Sequence, residues 1–500
     1  MNTVFRVDAS SQIGIGHFMR CLSLAEELKK QSAYIYFLSR NLPAHLSEVL
    51  NARNIKLVHL HTNNSEDLIN DLEHADWLGT SQEKDAEEVV RALSGKIWDL
   101  LVVDHYALDI RWENIVRPSV KKIMVIDDLA DRLHDCDILL DQNYYADMQN
   151  RYSKKVPPYC LLLLGPRYAL LREEFRILRD KVKARSGEVK NFLVFFGGVD
   201  TNNYTLKAIE ALSEISTNLH VDVVIGSQHQ FKKQIEEACA KYGYVYHLQA
   251  PYIAKLMAEA DLAIGAGGTS IWERCCLGLP TISLCMAKNQ FKQILDAAEM
   301  GVLFAPKMDN NVIESIRMHI KSLLQNCGLI KLVSRKSLNL VDGKGTLRVF
   351  SAIAYGNIEL KKATHYDSRS VYEWRNNRRI RAVSKCSDII SWDDHEKWFN
   401  AVLADVSRCL LIGSIDNIQI GVVRFDLKGD SAEVSIYLVP DVGRIGQGKI
   451  LLLASENWLR VNHPEITRIN ANVLGENESS KIFFTSLSYR ISMLNYQKDL

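Results

Sequence analysis

The sequence predicts an α/β protein with two doubly wound, Rossmann-like domains followed by a smaller α+β domain. Short apolar strands alternate with amphipathic helices from residue 1 to about 150, and the same alternation restarts at Asn191. This alternation is typical of a parallel sheet with helices on both faces. The pattern changes again after a polar stretch at 332–345, and 500 residues suffice for two or three domains. We place the domains at residues 1–180, 181–345 and 359–500.

Composition restricts the class of protein. The 61 Lys and Arg residues nearly balance the 60 Asp and Glu residues, which argues against a general nucleic-acid binder. The N-terminus lacks a signal-peptide pattern, and the apolar runs are too short to span a bilayer. The ten cysteines are scattered and form no Cys-x-x-Cys pair. We therefore expect a cytoplasmic protein with reduced thiols, no metal site, and no membrane or nucleic-acid partner.

The first domain begins with a glycine-rich turn between a strand and a helix. The strand Val4–Val7 is followed by Gly14, Gly16 and His17, and a helix with one apolar face runs on to Leu28. The glycines allow a tight turn and close approach of a ligand, and the helix N-terminus favours an anion. His17 is therefore a candidate proton acceptor beside a phosphate-bearing substrate. The alternative is a histidine that only caps or packs the helix start.

Polar residues follow several predicted strands of this domain. Ligands of parallel sheets bind at the carboxyl ends of the strands, although Asp and Asn also cap helices and form turns there. These clusters are Asp8, Asp104–Tyr106, Asp127–Asp128 and Asp141–Asn143.

The second domain has its own anion-binding pattern in Gly265–Pro280. Backbone N–H groups and the hydroxyls of Thr269 and Ser270 would bind a diphosphate, whereas Glu273 suits a ribose diol because it would repel phosphate. A simple helix cap is the alternative, both here and at Asn289 in the next helix. Two doubly wound domains with a cleft between them predict a GT-B-like architecture that binds a nucleotide-sugar at the interface.

Several motifs occur in order along residues 1–330. They include Arg6-x-Asp8-x5-Gly14-x-Gly16-His17, Val103-Asp-His-Tyr106, Leu140-Asp-Gln-Asn143, Leu164-Gly-Pro-Arg167, Phe196-Gly-Gly-Val-Asp200 and Gly267-Gly-Thr-Ser-x-Trp-Glu273. Together they resemble the UDP-2,4-diacetamido-2,4,6-trideoxy-β-L-altropyranose hydrolases of bacterial pseudaminic acid synthesis. The last motif also resembles the related peptidoglycan N-acetylglucosaminyl transferase.

The resemblance implies that His17 activates a water that attacks the anomeric carbon, so that UDP leaves and the configuration inverts. UDP is a good leaving group, so a base, an oriented water and donors for the diphosphate suffice. A GT-B glycosyltransferase with an appended acyltransferase remains open, as does a nucleotide-sugar or acyl-CoA sensor. The implied substrate-binding residues are Gly14, Gly16, Tyr106, Asn143, Arg167, Gly197, Gly198, Asp200, Gly267, Gly268, Thr269, Ser270, Glu273 and Asn289.

The third domain contains another glycine-rich helix start. The predicted strand Ala432–Leu438 is followed by Pro440–Leu453, in which N–H groups would bind a pyrophosphate; a plain loop is the alternative. With Asn477-x2-Ser480-x3-Phe484-x2-Leu487-x-Tyr489, this pattern resembles GNAT-type N-acetyltransferases, which use acetyl-CoA. The resemblance implies a bulged strand near Ile436–Val439. The implied cofactor-binding residues are Val439, Arg444, Gly446, Gln447, Gly448, Lys449, Asn477 and Ser480.

Two further segments refine the expected acetyltransferase. Trp374-Arg-Asn376 and Ser391-x3-His395-x2-Trp398-Phe399 resemble the enzyme that acetylates UDP-4-amino-4,6-dideoxy-N-acetyl-β-L-altrosamine in the same pathway. The usual tyrosine acid is replaced by Phe484, which leaves Tyr489 or water for that role. The whole chain is therefore expected to be a bifunctional enzyme that acetylates N4 of a UDP-amino-sugar and then hydrolyses off UDP.

Overall fold

A computed structural model divides the chain into two compact units, Met1–Phe350 (the first unit) and Ser351–Leu500 (the second unit). The predicted site residues Asn289 and Arg444 lie outside the described residues. The structure describes all residues except 11, 31–32, 62–70, 199, 216–217, 288–289, 308–310, 356–357, 385–386, 416–417, 441, 443–445, 476, 488 and 493–500.

The N-terminal lobe of the first unit is built on a parallel sheet. Its strands are β1 (Asn2–Val7), β2 (Tyr34–Ser39), β3 (Lys56–His59), β4 (Leu100–Asp104), β5 (Ile123–Ile126), β6 (Ile138–Asp141) and β7 (Leu161–Leu164). Its helices are α1 (Gly16–Lys30), α2 (Ala44–Ala52), α3 (Gln82–Leu93) and α4 (Ile110–Val116). The chain then continues into α5 (Glu173–Arg179), whose Phe175 is buried in the core of the C-terminal lobe. The strand order is β3-β2-β1-β4-β5-β6-β7, so the order reverses between β1 and β4. A crevice for ligands forms at such a reversal, outside the carboxyl ends of the strands.

The C-terminal lobe repeats this design. Its strands are β8 (Asn191–Phe195), β9 (His220–Ile225), β10 (Val245–Leu248), β11 (Leu262–Ala266) and β12 (Thr281–Leu284). Its helices, with those that follow, are α6 (Tyr204–Ser213), α7 (Lys232–Tyr242), α8 (Ile253–Glu259), α9 (Ser270–Cys276), α10 (Gln290–Met300), α11 (Val312–Leu324), α12 (Cys327–Leu340) and α13 (Gly345–Tyr355). The parallel order β10-β9-β8-β11-β12 reverses between β8 and β11.

The central strands of both sheets are buried on both faces, which explains their nearly continuous apolar sequences. Every residue of β4 and of β11 is buried, and so are five of the six residues of β1. The buried polar residues of these strands include Arg6 of β1, whose guanidinium donates to Asp85 of α3 at 2.8 and 3.1 Å. A buried cation requires such a partner, and this pair ties α3 to the sheet.

The second unit is a mixed sheet with helices. Its strands are β13 (Ile358–Lys362), β14 (Arg408–Ile415), β15 (Ile418–Lys428), β16 (Ser431–Leu438) and β17 (Arg468–Ala471). Its helices are α14 (Ser368–Arg375), α15 (Arg378–Arg381), α16 (Trp392–Ala404), α17 (Gln447–Asn462) and α18 (Glu478–Thr485). The strands pair in chain order, antiparallel as far as β16, whereas β16 and β17 are parallel and are joined through α17.

One local expectation for this sheet is wrong. The bulge predicted near Ile436–Val439 is not found in the described pairing of β16 with β15, which keeps one register along the whole of β16. The register shifts instead between Gly413 and Ser414, where β14 pairs with β15. Every residue of β16 pairs with β15, whereas β17 pairs only with Ser431–Val434.

Candidate active site

His17 lies at the crevice of the N-terminal lobe because of the turn that precedes α1. The Gly14 N–H donates to the Ser10 carbonyl at 2.8 Å, and Gly14 has φ of +78°, a conformation that favours glycine. α1 then begins at Gly16, so His17 stands at the carboxyl end of β1 with 9% of its surface exposed. The turn predicted from the two glycines is therefore what positions this histidine.

Asp104, the last residue of β4, holds the imidazole of His17. His17 Nδ1 lies 2.6 Å from Asp104 Oδ1, while Arg20 Nη2 is further away, at 3.2 Å. Arg20 also donates to both carboxylate oxygens of Asp104, at 2.6 and 2.7 Å. Burial would raise the pKa of Asp104, but the charges and hydrogen bonds of Arg20 and His17 outweigh it and hold that pKa well below its usual range. An ionised carboxylate can only accept a hydrogen bond, so Nδ1–H is the donor to Asp104 and the lone pair of the neutral imidazole lies on Nε2.

A second carboxylate, Asp128, is bonded to Arg20 and joins two more side chains, Tyr106 and Asn143, to this cluster. It accepts hydrogen bonds from Arg20 Nη1 at 3.1 Å, from Asn143 Nδ2 at 3.0 Å and from the Tyr106 hydroxyl. The pKa of Tyr106 is raised by burial and by the charge of Asp128, so the hydroxyl stays protonated and donates. The ring of Tyr106 lies edge-on to His17 with centroids 4.6 Å apart.

Two aromatic residues that the sequence did not reveal complete this side of the cluster. Trp77 lies in a short 3-10 helix, and its ring stacks on Tyr106 with centroids 5.6 Å apart. His74 packs against both rings, with centroid distances of 4.4 Å to Trp77 and 5.3 Å to Tyr106. No periodicity or glycine pattern marks either residue, and about sixty residues separate them from His17. The rings of Tyr106, Trp77 and His74 form an aromatic wall beside the imidazole of His17.

The glycine-rich loop of the C-terminal lobe, Gly267–Ser270, follows β11 at the second reversal of strand order. A Cβ at Gly267 would lie 2.7 Å from Ile294 Cδ1, and Gly268 has φ of +80°, so this loop requires glycine at both positions. The Ser270 hydroxyl donates to the Gly267 carbonyl at 3.4 Å. Arg274 lies buried below the loop and donates to the Ala266 carbonyl at 2.6 Å.

Gln142 of the N-terminal lobe and Arg172, which precedes α5, contact this loop and the helix after it. Thr269 Oγ1 accepts a hydrogen bond from Gln142 Nε2 at 3.4 Å, and Glu273 Oε1 accepts one from Arg172 Nη2 at 3.2 Å. The carboxylate of Glu273 is 17% exposed. The predicted nucleotide loop therefore lies at the junction of the two lobes.

Three other predicted substrate residues lie between β8 and α6 of the C-terminal lobe. Gly197 and Gly198 follow β8, and a Cβ at Gly198 would lie 3.9 Å from Ile15 Cδ1 of the N-terminal lobe. Asp200 caps α6 by accepting from the Tyr204 and Thr205 N–H groups at 3.0 and 2.7 Å.

Arg167 and Asn143, two more predicted substrate residues, contact other side chains of the protein. Arg167 lies over the ring of Tyr168, 4.9 Å from its centroid. Asn143 Oδ1 accepts hydrogen bonds from Trp272 Nε1 and Gln293 Nε2, both at 2.8 Å, so its side chain joins the two lobes.

In the second unit, the predicted cofactor residues gather around the start of α17. Gly446 precedes the helix with φ of +93°, and Gln447, Gly448 and Lys449 form its first turn. A Cβ at Gly448 would lie 3.3 Å from the Phe483 ring, so the helix start packs closely on α18. Val439 is buried, and its N–H donates to the Ile420 carbonyl at 2.9 Å.

The remaining polar residues of the second unit make internal contacts. Asn477 caps α18 by accepting from the Ser480 N–H at 3.0 Å. The Tyr489 hydroxyl donates to Glu456 Oε1 at 2.8 Å, and burial together with the charge of Glu456 raises its pKa, so it stays protonated. His395 is buried, its Nε2 lies 2.9 Å from the Ser368 carbonyl, and burial lowers its pKa.

Among the described residues, we find no group of three or more His, Cys, Asp and Glu side chains arranged for a metal ion. Nor does any helix in that part of the chain combine the length and apolar character needed to cross a membrane.

Comparison with solved structures bears on the fold of the first unit. MurG of Acinetobacter baumannii aligns with a TM-score of 0.50 at 15% identity, covering 70% of this chain and 98% of that chain. UGT2 of Phytolacca americana aligns with a TM-score of 0.51 at 12% identity, covering 71% of this chain and 98% of that chain. The first unit has a GT-B-like glycosyltransferase fold. The architecture predicted from two doubly wound domains is thereby confirmed.

Sequence comparisons point the same way. Residues 192–326 match the glycosyltransferase family 28 C-terminal domain. The UDP-2,4-diacetamido-2,4,6-trideoxy-β-L-altropyranose hydrolase of Campylobacter jejuni is 28% identical over 58% of this chain and 93% of its own length. The spore coat polysaccharide biosynthesis protein SpsG of Bacillus subtilis is 24% identical over 68% of this chain and 94% of its own length. An uncharacterized protein of Methanocaldococcus jannaschii is 22% identical over 98% of this chain and 97% of its own length.

Proposed function

We propose that the first unit hydrolyses a UDP-linked deoxy amino sugar, namely UDP-2,4-diacetamido-2,4,6-trideoxy-β-L-altropyranose. The observation that carries this proposal is the pairing of His17 Nδ1 with the ionised Asp104 at 2.6 Å. This pairing leaves Nε2 as a proton acceptor at the carboxyl end of β1, where ligands of this fold bind. The Campylobacter relative named for this reaction supports the choice of substrate.

The proposed reaction is a single displacement at the anomeric carbon. A water molecule transfers one proton to His17 Nε2 while its oxygen forms the new C1–O bond, and the bond from C1 to the UDP oxygen breaks. Because the water attacks opposite to the leaving group, the configuration inverts. Asp104 stabilises the imidazolium that forms, and UDP leaves as an anion that needs no general acid.

The C-terminal lobe would hold the nucleotide. The glycine-rich loop offers backbone N–H groups and the hydroxyls of Thr269 and Ser270, and the buried cation Arg274 lies directly below it. The carboxylate of Glu273 would accept hydrogen bonds from the ribose hydroxyls. UGT2 of Phytolacca americana, which shares this fold, was solved with UDP-2-fluoro-glucose, and this agrees with a nucleotide-sugar ligand for the fold.

The test follows the sugar by NMR in the purified full chain. We expect wild type to release UDP and free sugar of inverted anomeric configuration, and His17→Ala to lose this release. His220→Ala is the control, because that histidine is exposed at the start of β9, at the opposite end of its strand from the proposed site. Transfer of the sugar to an added acceptor in preference to water would instead identify a glycosyltransferase and overturn the hydrolase proposal.

We infer a second activity for the second unit: acetyl transfer from acetyl-CoA to N4 of UDP-4-amino-4,6-dideoxy-N-acetyl-β-L-altrosamine. Its product is the substrate proposed for the first unit. Two features support an acyl-CoA site. β16 continues past its pairing with β17 over residues 435–438, and in the described part of the chain no strand pairs with that side of these residues. α17 begins there after a left-handed Gly446, and the first N–H groups of a helix favour a pyrophosphate.

Two glycines shape this helix start. Gly446 has the backbone conformation that glycine prefers, and Gly448 lets the first turn of α17 pack closely against Phe483 and Leu438. In the transfer, the amine nitrogen forms the amide bond, the carbon–sulfur bond breaks, and one proton passes from nitrogen to the departing thiol. Orientation of the amine supplies most of what this step requires.

Release of free thiol from acetyl-CoA tests the second activity. Thiol should appear only when the UDP-4-amino sugar is present, and it should appear equally in His17→Ala, which retains the second unit. The product of that variant should be the intact diacetamido UDP-sugar, identified by its NMR spectrum. Absence of thiol release from the wild type would exclude the acetyltransferase and leave the hydrolase proposal untouched.

A further inference from the structure

We propose that Asn143 and Asp128 are positioning residues that couple docking of the C-terminal lobe to the alignment of His17. The proposal rests on the hydrolase function given above and adds a control of its rate. It is carried by a continuous series of side-chain hydrogen bonds, which runs from Trp272 through Asn143, Asp128, Arg20 and Asp104 to His17. We call this series the relay.

The relay begins on the nucleotide side of the molecule. Trp272 stands in α9 between Ser270 and Glu273, the residues proposed to bind UDP, and its indole is fully buried. Its Nε1 donates to Asn143 Oδ1 at 2.8 Å, and Gln293 Nε2 of α10 donates to the same oxygen at 2.8 Å. One amide oxygen of the N-terminal lobe thus accepts two donors from the C-terminal lobe.

The other end of the same amide contacts the catalytic cluster. Asn143 Nδ2 donates to Asp128 Oδ2 at 3.0 Å, and this carboxylate oxygen also accepts from Arg20 Nη1 at 3.1 Å. Arg20 in turn donates to Asp104, which holds His17. A change in the position of Asp128 therefore changes the set of bonds that orient the imidazole.

The side-chain amide of Asn143 can bond to the C-terminal lobe and to Asp128 at the same time in only one orientation. An asparagine has one acceptor end and one donor end, and the two donors from Trp272 and Gln293 fix which end faces the C-terminal lobe. The donor end must then face Asp128. Without the C-terminal lobe in place, Asn143 loses both donors to Oδ1, and only its bond to Asp128 restrains the amide. The relay therefore has two arrangements, and lobe docking selects one of them.

The relay links nucleotide binding to the alignment of His17. Nucleotide that binds to the glycine-rich loop stabilises the docked lobe, so His17 is aligned only when a UDP-sugar is held. Breaking the relay should lower kcat and leave the affinity for UDP nearly unchanged, because neither Asn143 nor Asp128 belongs to the proposed nucleotide site. A residue that served only to stabilise the fold would not separate these two quantities.

The first experiment compares Trp272→Phe, which removes one donor and keeps the ring, with Asp128→Asn and with the double variant. Each single change should lower kcat about 10- to 100-fold, a typical effect of misaligning a catalytic group. The double variant should lose little more than the worse single one, because both break one series of bonds. Trp98→Phe is the matched control, since it removes an equally buried indole donor whose partner is the Leu93 carbonyl. Additive losses, or equal losses in the control, would overturn the relay.

The second experiment does not depend on turnover. Addition of UDP alone should slow amide hydrogen exchange at the start of α1, around Gly16–Arg20, in wild type but not in Asn143→Ala. Equal protection in both proteins would overturn the relay and leave the hydrolase proposal standing. If UDP does not bind to wild type, both proposals fail. If UDP binds and protects α1 without any hydrolysis of the UDP-sugar, only the proposed reaction fails.

Discussion

Replacing Asp104 by asparagine tests the proposed base with a change of only one atom. The carboxylate accepts from His17 Nδ1 and Arg20 Nη2 at Oδ1, and from Arg20 Nε at Oδ2. An amide has only one acceptor end, so either orientation sets its NH2 group against a donor of Arg20. If the NH2 group faces His17, it fixes the proton on Nε2 and removes the base. If the oxygen faces His17, the correct tautomer survives, but the charge that stabilises the imidazolium is lost.

The magnitude follows from that lost charge. Two unit charges about 4 Å apart attract by roughly 4 kcal/mol at the effective dielectric of a protein surface, which corresponds to about a thousandfold in rate. The wrong tautomer would lower the rate further, to about ten-thousandfold, as in the corresponding change in a serine protease. We therefore expect kcat of Asp104→Asn to fall by about 10³ to 10⁴ with little change in the affinity for UDP.

The assay is UDP release at saturating UDP-sugar, together with calorimetric binding of UDP to the same preparation. Binding of UDP shows that the variant is folded, which matters because Arg20 loses one of its two carboxylate partners. A folded variant whose kcat falls less than about tenfold would refute the assignment of His17 as a base held by Asp104.

Three further predictions concern single residues. Glu273→Gln should weaken UDP binding about tenfold, and because the ribose contact is lost, the preference for UDP over 2′-deoxy-UDP in calorimetry should disappear. Gly14→Ala should lower the free energy of unfolding, measured in urea, by about 1–2 kcal/mol, since φ is +78° there. Gly16→Ala is the control and should leave the urea midpoint nearly unchanged, because a Cβ there meets no atom within 4 Å. Burial would raise the pKa of Asp127, but Arg132 and His134 outweigh it and lower the pKa to about 2. Between pH 7 and pH 3 this carboxylate protonates mainly in the unfolded chain, so wild type should lose about 1 kcal/mol of stability through this group. Asp127→Asn should lack this part of the pH dependence in urea titrations. Equal slopes of stability against pH for the two proteins would contradict this prediction.

Local patterns in the sequence predicted the alternation of strands and helices and the turn before His17. Gly14 and Gly16 mark that turn because backbone conformation depends on neighbouring residues. Asp104 was predicted only as one of several strand-end carboxylates, because its partner His17 is separated from it by 87 residues. Trp77 and His74 gave no signal at all, since they reach the site through tertiary packing alone.

The role of Asn143 shows another limit of sequence reasoning. Its motif predicted a substrate contact, and the structure shows its amide bonded to Asp128, Trp272 and Gln293. Nothing in a short motif tells a residue that contacts ligand from one that joins two lobes, because both are polar and both follow a strand. The bulge expected in β16 was wrong, because β16 pairs with β15 in one continuous register from Ser431 to Leu438.

Both sheets of the first unit reverse their strand order at an inner pair, β1 with β4 and β8 with β11. The proposed base and the proposed nucleotide loop therefore both follow strands from the middle of a sheet. The edge strand β3 is different, because the segment that follows it carries His74 and Trp77 to the imidazole. The edge strand β10 is followed by α8, and no predicted site residue lies between them. A tether or a grafted binding loop is therefore best placed after β10, away from both the histidine and the nucleotide loop.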